Sequence, residues 1–276
     1  MAPALTLARD SGELSDAFAA LRARRGVAVL VLALAGLAWW STAERMAGMD
    51  AGPGTDLGTL GWFAGVWVTM MAAMMLPSLA PTAAMYTQLT RRRDLARPAL
   101  FVTGYLGVWS AAGVSAYGVY ELGKDLLGTQ LAWHAGGRWV AGAVLALAAA
   151  YQLTPAKRAC LQRCRSPRSF LSGAWREGRA GALALGARNG LVCLGCSWSL
   201  MAALFALGVM SLTWMALVAA LVALEKVAPH ARLAVTATTV VMLALAAAIL
   251  LSPGDVPGLV VPGGRAAAMH GMHMMG

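Results

Sequence analysis

Seven apolar stretches, separated by short polar ones, run along this chain at residues 26–42, 60–79, 99–122, 138–153, 189–210, 213–227 and 232–251. A bilayer's hydrocarbon core takes about 20 apolar residues per helix, and stretches near this length with few charges read as membrane spans. The pattern predicts an all-α fold, a polytopic membrane helix bundle of about seven transmembrane helices. Trp39 and Trp40 close the first span at the level where indole rings settle between headgroups and tails. Pro77 and Pro81 predict a kink or an end in the second. The third is rich in Gly, Ser and Tyr, which suits close helix packing in lipid. The sixth ends in Glu225-Lys226, which reads as a self-neutralising pair at a membrane boundary rather than a proton relay.

The polar stretches divide the chain into a leader at 1–25, a membrane domain at 26–251 with a basic loop at 154–188, and a tail at 252–276. A 25-residue leader is long for a cleaved signal peptide, which favours a retained anchor. Seven spans put the termini on opposite sides, and the basic residues choose between the two orientations. With the N-terminus inside, 18 of the 22 Lys and Arg residues face the cytoplasm, leaving only Arg45, Lys124, Arg138 and Arg265 outside. That asymmetry is what the positive-inside rule requires, so the tail is expected outside the cytoplasm.

Composition reinforces the membrane reading. Of 276 residues, 59% are hydrophobic and 12% charged, with a mean hydropathy of +0.65. A soluble domain carries about a quarter charged residues. The net charge of +10 does not point to nucleic acid, because the basic residues sit in short loops between spans. Membrane topology and lipid headgroups account for them. Four cysteines are too few for a disulfide scaffold, whereas 16 methionines are about two to three times the usual share.

Those sulfurs are the candidate chemistry. Cys193, Cys196 and Ser197 share one face of a helix at about 100° per residue, with Met201 at its edge. Met70, Met71, Met74 and Met75 lie in the second span. Thiolate and thioether are soft donors, and soft donors select monovalent copper over harder cations. If the second span enters from outside and the fifth from inside, both runs reach the inner half of the bilayer, where they would share one metal site. Packing alone is the competing account, since methionine fills irregular gaps and a buried cysteine behaves as a small hydrophobe.

A second candidate is the tail, where Met269, His270, Met272, His273, Met274 and Met275 occupy a Gly-rich segment unsuited to a core. Thioether and imidazole together suit copper outside the cell. Met46 and Met49, in an acidic loop with Asp50 and Asp56, are expected to assist. Cys160 and Cys164 stand one helical turn apart in the basic loop, equally readable as a metal-handling pair or as reduced thiols. His134 and His230 read as interfacial residues. No Ser/His/Asp set, phosphate loop or carboxylate pair marks an enzyme.

The chain resembles a prokaryotic family of predicted metal-binding integral membrane proteins, whose members include membrane copper chaperones serving tyrosinase-type enzymes. The matching residues are Trp67-x2-Met70-Met71-x2-Met74-Met75-x-Pro77, then Gly104-Tyr105 and Trp109. Next come Gln152-x2-Pro155-x-Lys157-x2-Cys160-Leu161-x2-Cys164-Arg165-x-Pro167 and Cys193-x-Gly195-Cys196-x-Trp198-x-Leu200-Met201. Gly208-x-Met210, Trp214-Met215 and Glu225-Lys226 complete the pattern, which spans roughly residues 60–230. The family pattern usually places a third cysteine where this chain has Ser197, so the resemblance implies a site built on the pair Cys193 and Cys196. It further implies copper and an assembly role; together with the topology and the tail, the expectation is a multi-pass protein of the bacterial inner membrane that binds monovalent copper and hands it to an extracytoplasmic copper enzyme. The alternatives are a transition-metal transporter with a Met/Cys-lined path and a structural membrane subunit without metal.

Overall fold

The computed structural model describes residues 15–16, 19–46, 57–90, 96–127, 136–256 and 259. The fold is all-α. Among the described residues its helices include α1 (Arg25–Met46), α2 (Leu60–Leu89), α3 (Ala96–Leu127), α4 (Arg138–Gln152), α5 (Pro155–Arg165), α6 (Pro167–Ala174), α7 (Gly178–Leu207), α8 (Leu212–Val227) and α9 (Ala231–Leu251). Five of them, α1, α2, α3, α7 and α9, are long and apolar enough to cross a membrane. A sixth span is added if α4 and α5, which meet at a bend of 67°, count as one. The stretch expected as a separate span at 213–227 is α8, whose 16 residues reach about 24 Å at 1.5 Å per residue. That falls short of a hydrocarbon core of about 30 Å.

Three expectations about the elements change. α2 runs through Pro77 and Pro81 without ending and reaches Leu89. Each proline removes one hydrogen bond and crowds the carbonyl four residues before it; Pro77 is exposed and Pro81 half-buried, and a membrane helix held by its neighbours tolerates that loss. The segment at 154–188, expected as a loop, forms α5, α6 and the first turns of α7. Finally, α7 begins at Gly178 rather than near residue 189, so Cys193 and Cys196 lie at mid-helix instead of near its end.

α2 and α7 form the centre of the bundle. In their most apolar windows 61% and 56% of residues are buried, against 22% in α1. Val29, Leu30, Leu37 and Trp40 on α1 are exposed, as a lipid-facing helix requires. α3 packs most extensively on α7, α1 on α2, and α9 on α4. The α3–α7 contact is backbone on backbone. An added Cβ at Gly186 would stand 1.9 Å from the Phe101 carbonyl oxygen, and one at Gly104 would stand 2.2 Å from that of Leu183. Without a hydrophobic drive between helices in lipid, this intimacy supplies the dispersion contact that holds them.

Candidate metal centre

α7 carries the first two thiols. Gly186 and Gly190 face α3, and Cys193 follows on the same side, one turn further along. The close approach of the two backbones sets Tyr105 of α3 against Cys193, with the hydroxyl 3.0 Å from Sγ. Cys196 lies one turn beyond, its Sγ 3.2 Å from the Cys193 carbonyl and 3.4 Å from the Ser197 hydroxyl. Both cysteines are buried.

The third thiol arrives from outside the bundle. Thr154 has an extended backbone, as a residue before proline must, and its hydroxyl accepts from the Lys157 N–H at 3.2 Å. Pro155 then opens α5 at the position where its missing N–H costs nothing. This break turns α5 back onto α7. Along α5, Lys157, Leu161 and Arg165 recur every fourth residue and are buried, Cys160 and Cys164 flank them half-buried, and Arg158, Ala159, Gln162 and Arg163 are exposed.

Two buried cations fasten that helix. The Lys157 ammonium donates to Glu225 of α8 at 2.6 Å and to the main-chain carbonyl of Cys196. The Arg165 guanidinium donates to the carbonyls of Glu225 and Ala228, both at 2.7 Å. At the elbow, the Tyr151 hydroxyl donates to the Gly195 carbonyl at 2.6 Å. The Glu225-Lys226 reading is corrected here: Glu225 pairs with Lys157, while Lys226 donates to Cys193 Sγ at 3.1 Å and to the Ser78 hydroxyl at 3.0 Å. Adjacent residues on a helix point about 100° apart and serve different neighbours.

With α5 held in this register, Cys164 Sγ lies 3.4 Å from Cys196 Sγ, and the Sγ atoms of Cys164, Cys193 and Cys196 all fall within 4.8 Å of one another. All four cysteines of the chain are free. Sulfur–metal bonds of about 2.3 Å place three sulfurs around one ion about 4 Å apart, so small side-chain adjustments suffice for all three to reach it. Three thiols with no histidine or carboxylate among them form a soft donor set suited to copper or another thiophilic metal.

The other candidate residues are distributed as follows. Met70, Met71, Met74 and Met75 are all buried in the central core at the middle of α2, and Met201 is buried one turn and a half past Cys196 on α7. Ser78, the next turn of α2, shares the Lys226 ammonium with Cys193, which brings the methionine helix level with the thiols. Met46 is buried at the end of α1. Met269, His270, Met272 and His273 lie outside the described residues, as do Met49 and His134. His230 is exposed just before α9. Sequence reasoning left out Cys164, Tyr105 and Lys226 as neighbours of the pair. The Thr154-Pro155 helix start before Cys160-x3-Cys164 was the signal that could have turned the segment from loop to helix.

A family model described as copper chaperone, PpoB2, matches residues 64–249. No curated protein and no solved structure matches the chain.

Proposed function

Because the chain belongs to the PpoB2 copper chaperone family, we propose that it holds monovalent copper among Cys164, Cys193 and Cys196 within the membrane and delivers it to an extracytoplasmic copper enzyme of the tyrosinase type. The observation that carries this reading is the convergence of three thiols from two helices inside a membrane bundle. Thiolate donors favour the monovalent ion, and burial keeps water and oxidants from it. Met70, Met71, Met74, Met75 and Met201 supply weaker thioether donors along the path away from the thiols. The Met/His tail, with Met269, His270, Met272 and His273, receives the ion by ligand exchange, and its 25 residues from Ser252 reach up to about 80 Å. Delivery without chemistry on the client's substrate makes the role non-catalytic.

The same proposal sets seven crossings in a bacterial inner membrane, with the short α8 as one of them, the N-terminus inside and the C-terminus outside. A reporter active only outside the cytoplasm should give signal when fused after Gly276 and none after Arg93; the reverse would put the tail on the wrong side for delivery. For the metal, analysis of the full chain purified after growth with copper should find the ion. Cys164→Ser, Cys193→Ser and Cys196→Ser should each reduce bound copper well below the parent while the protein still inserts. Unchanged copper in all three would dismiss the thiol site. Copper uptake into sealed vesicles by the parent would assign transport instead.

A further inference from the structure

The fourth cysteine stands beside the three-thiol cluster. Cys160 is one turn before Cys164 on α5, and both pack with Leu161, Cys196 and Val235. An added Cβ at Gly195 would stand 2.8 Å from Cys160 Sγ and meet no other group except the Cys160 Cβ, 3.6 Å away. The Cys160 sulfur therefore rests on the surface of α7 at Gly195, on the Cys196 side of the helix, in a space that exists because residue 195 has no side chain. Exposure rises outward through the group: Cys193 and Cys196 are 2% and 1% exposed, whereas Cys164 and Cys160 are half-buried. Beyond Cys160 the surface of α5 is mostly polar, with Arg158, Gln162 and Arg163 open to the surroundings.

We propose that Cys160 is the exchange thiol of the centre, the sulfur through which copper passes between a soluble thiol-bound cuprous carrier and the cluster of Cys164, Cys193 and Cys196. This rests on the metal-site reading above and adds a route to it. Two of the three sulfurs, Cys193 and Cys196, are closed to an incoming carrier, and only Cys164 is half-open, so the site by itself offers a carrier a single point of attack. A half-buried thiol on an adjacent turn lets the ion move by one bond at a time. In loading, Cys160 forms a copper–sulfur bond as the carrier's bond to copper breaks, and the proton leaving Cys160 goes to the released carrier thiolate. Cys164 or Cys196 then bonds the ion as the Cys160 bond breaks, and the proton displaced from that thiol returns to Cys160. Copper stays monovalent throughout, so no oxidant or reductant enters. The arrangement also gives Gly195 a role beyond helix packing, as the recess that seats the Cys160 sulfur against the site.

The test follows loading of the anaerobic, detergent-purified full chain with copper(I)–glutathione, reading both the rate and the final copper content. Cys160→Ser should reach the parental copper content about tenfold more slowly, the loss expected when one transition state loses a directed ligand. Gly195→Ala should slow loading in the same way with every thiol intact, since its Cβ meets only the movable end of Cys160. The two changes together should slow loading no further than the slower one alone. Parental rates in both single variants would show that Cys160 merely packs. A reduced final content in Cys160→Ser would make it a static fourth ligand instead. A parent that takes up no copper would remove the metal site itself, an outcome separate from either of these.

Discussion

The thiol cluster and the methionine run of α2 are both sulfur-rich and both reach into the core, yet they are built differently. Met70, Met71, Met74 and Met75 come from one stretch of one helix, within a core of side chains such as Phe63, Tyr105 and Leu204. The thiols come from α5 and α7, and directed polar contacts surround them. Tyr105 and Lys226 touch Cys193, Ser197 touches Cys196, and Lys157 grips the carbonyl of Cys196. The contrast shows what a row of soft donors needs in order to become a site. Methionines at helical spacing satisfy packing by themselves, whereas three thiols brought within 4.8 Å require an ion pair, a helix break and a glycine contact to hold them there.

The largest expected effect breaks the thiol region and spares the methionines. Lys157→Met leaves Glu225 charged and buried without its partner, which costs about 3–5 kcal/mol. Thermal unfolding in detergent should show that loss. Lys157→Met combined with Glu225→Leu should recover much of it, because no unpaired charge remains, while copper binding stays impaired with α5 unfastened. Recovery of copper along with stability would mean that the salt bridge does not place Cys164.

A smaller loss is expected at the α3–α7 contact. Gly186→Ala forces its Cβ on the Phe101 carbonyl, which cannot swing aside as a side chain would, and overpacking of this kind costs about 1–3 kcal/mol. It should also lengthen the Tyr105–Cys193 contact, read as a change in the charge-transfer absorption of the loaded site. Unchanged stability and spectrum would show that the two helices separate freely.

Replacing Met70, Met71, Met74 and Met75 by leucine sharpens the comparison from the other side. These near-isosteric changes should each cost under about 1.5 kcal/mol and leave the copper of the thiol cluster in place, while passage to a client slows. Copper content falling with the fold intact would promote the methionines from relay to ligands of the primary site. The smallest effect on the membrane domain should come from truncation after Arg265. Bound copper should remain, client activation under copper limitation should slow, and added copper should partly restore it. Activation at the parental rate would shift delivery to Met46 and Met49.

The sequence by itself determined the membrane character, the all-α class and most helix positions, because each apolar stretch carries its own signal. α4 begins at Arg138 and α9 ends at Leu251, where their apolar stretches do. Cys193 and Cys196 stood out in the sequence as candidate ligands, since soft donors in an apolar run contrast with their surroundings. The tertiary structure alone decided the rest. A segment as basic as residues 154–188 reads as solvated loop until Glu225, 68 residues along the chain from Lys157, and the carbonyl of Cys196 appear as partners for Lys157. Burial of a cation is favourable only when its counter-charge is already in place, and that condition is non-local. The third sulfur follows from the same fact: Cys164 reaches Cys196 because the break at Thr154-Pro155 and the Lys157 and Arg165 anchors fix the register of α5, and no spacing along the chain encodes a distance between two helices that meet only after folding.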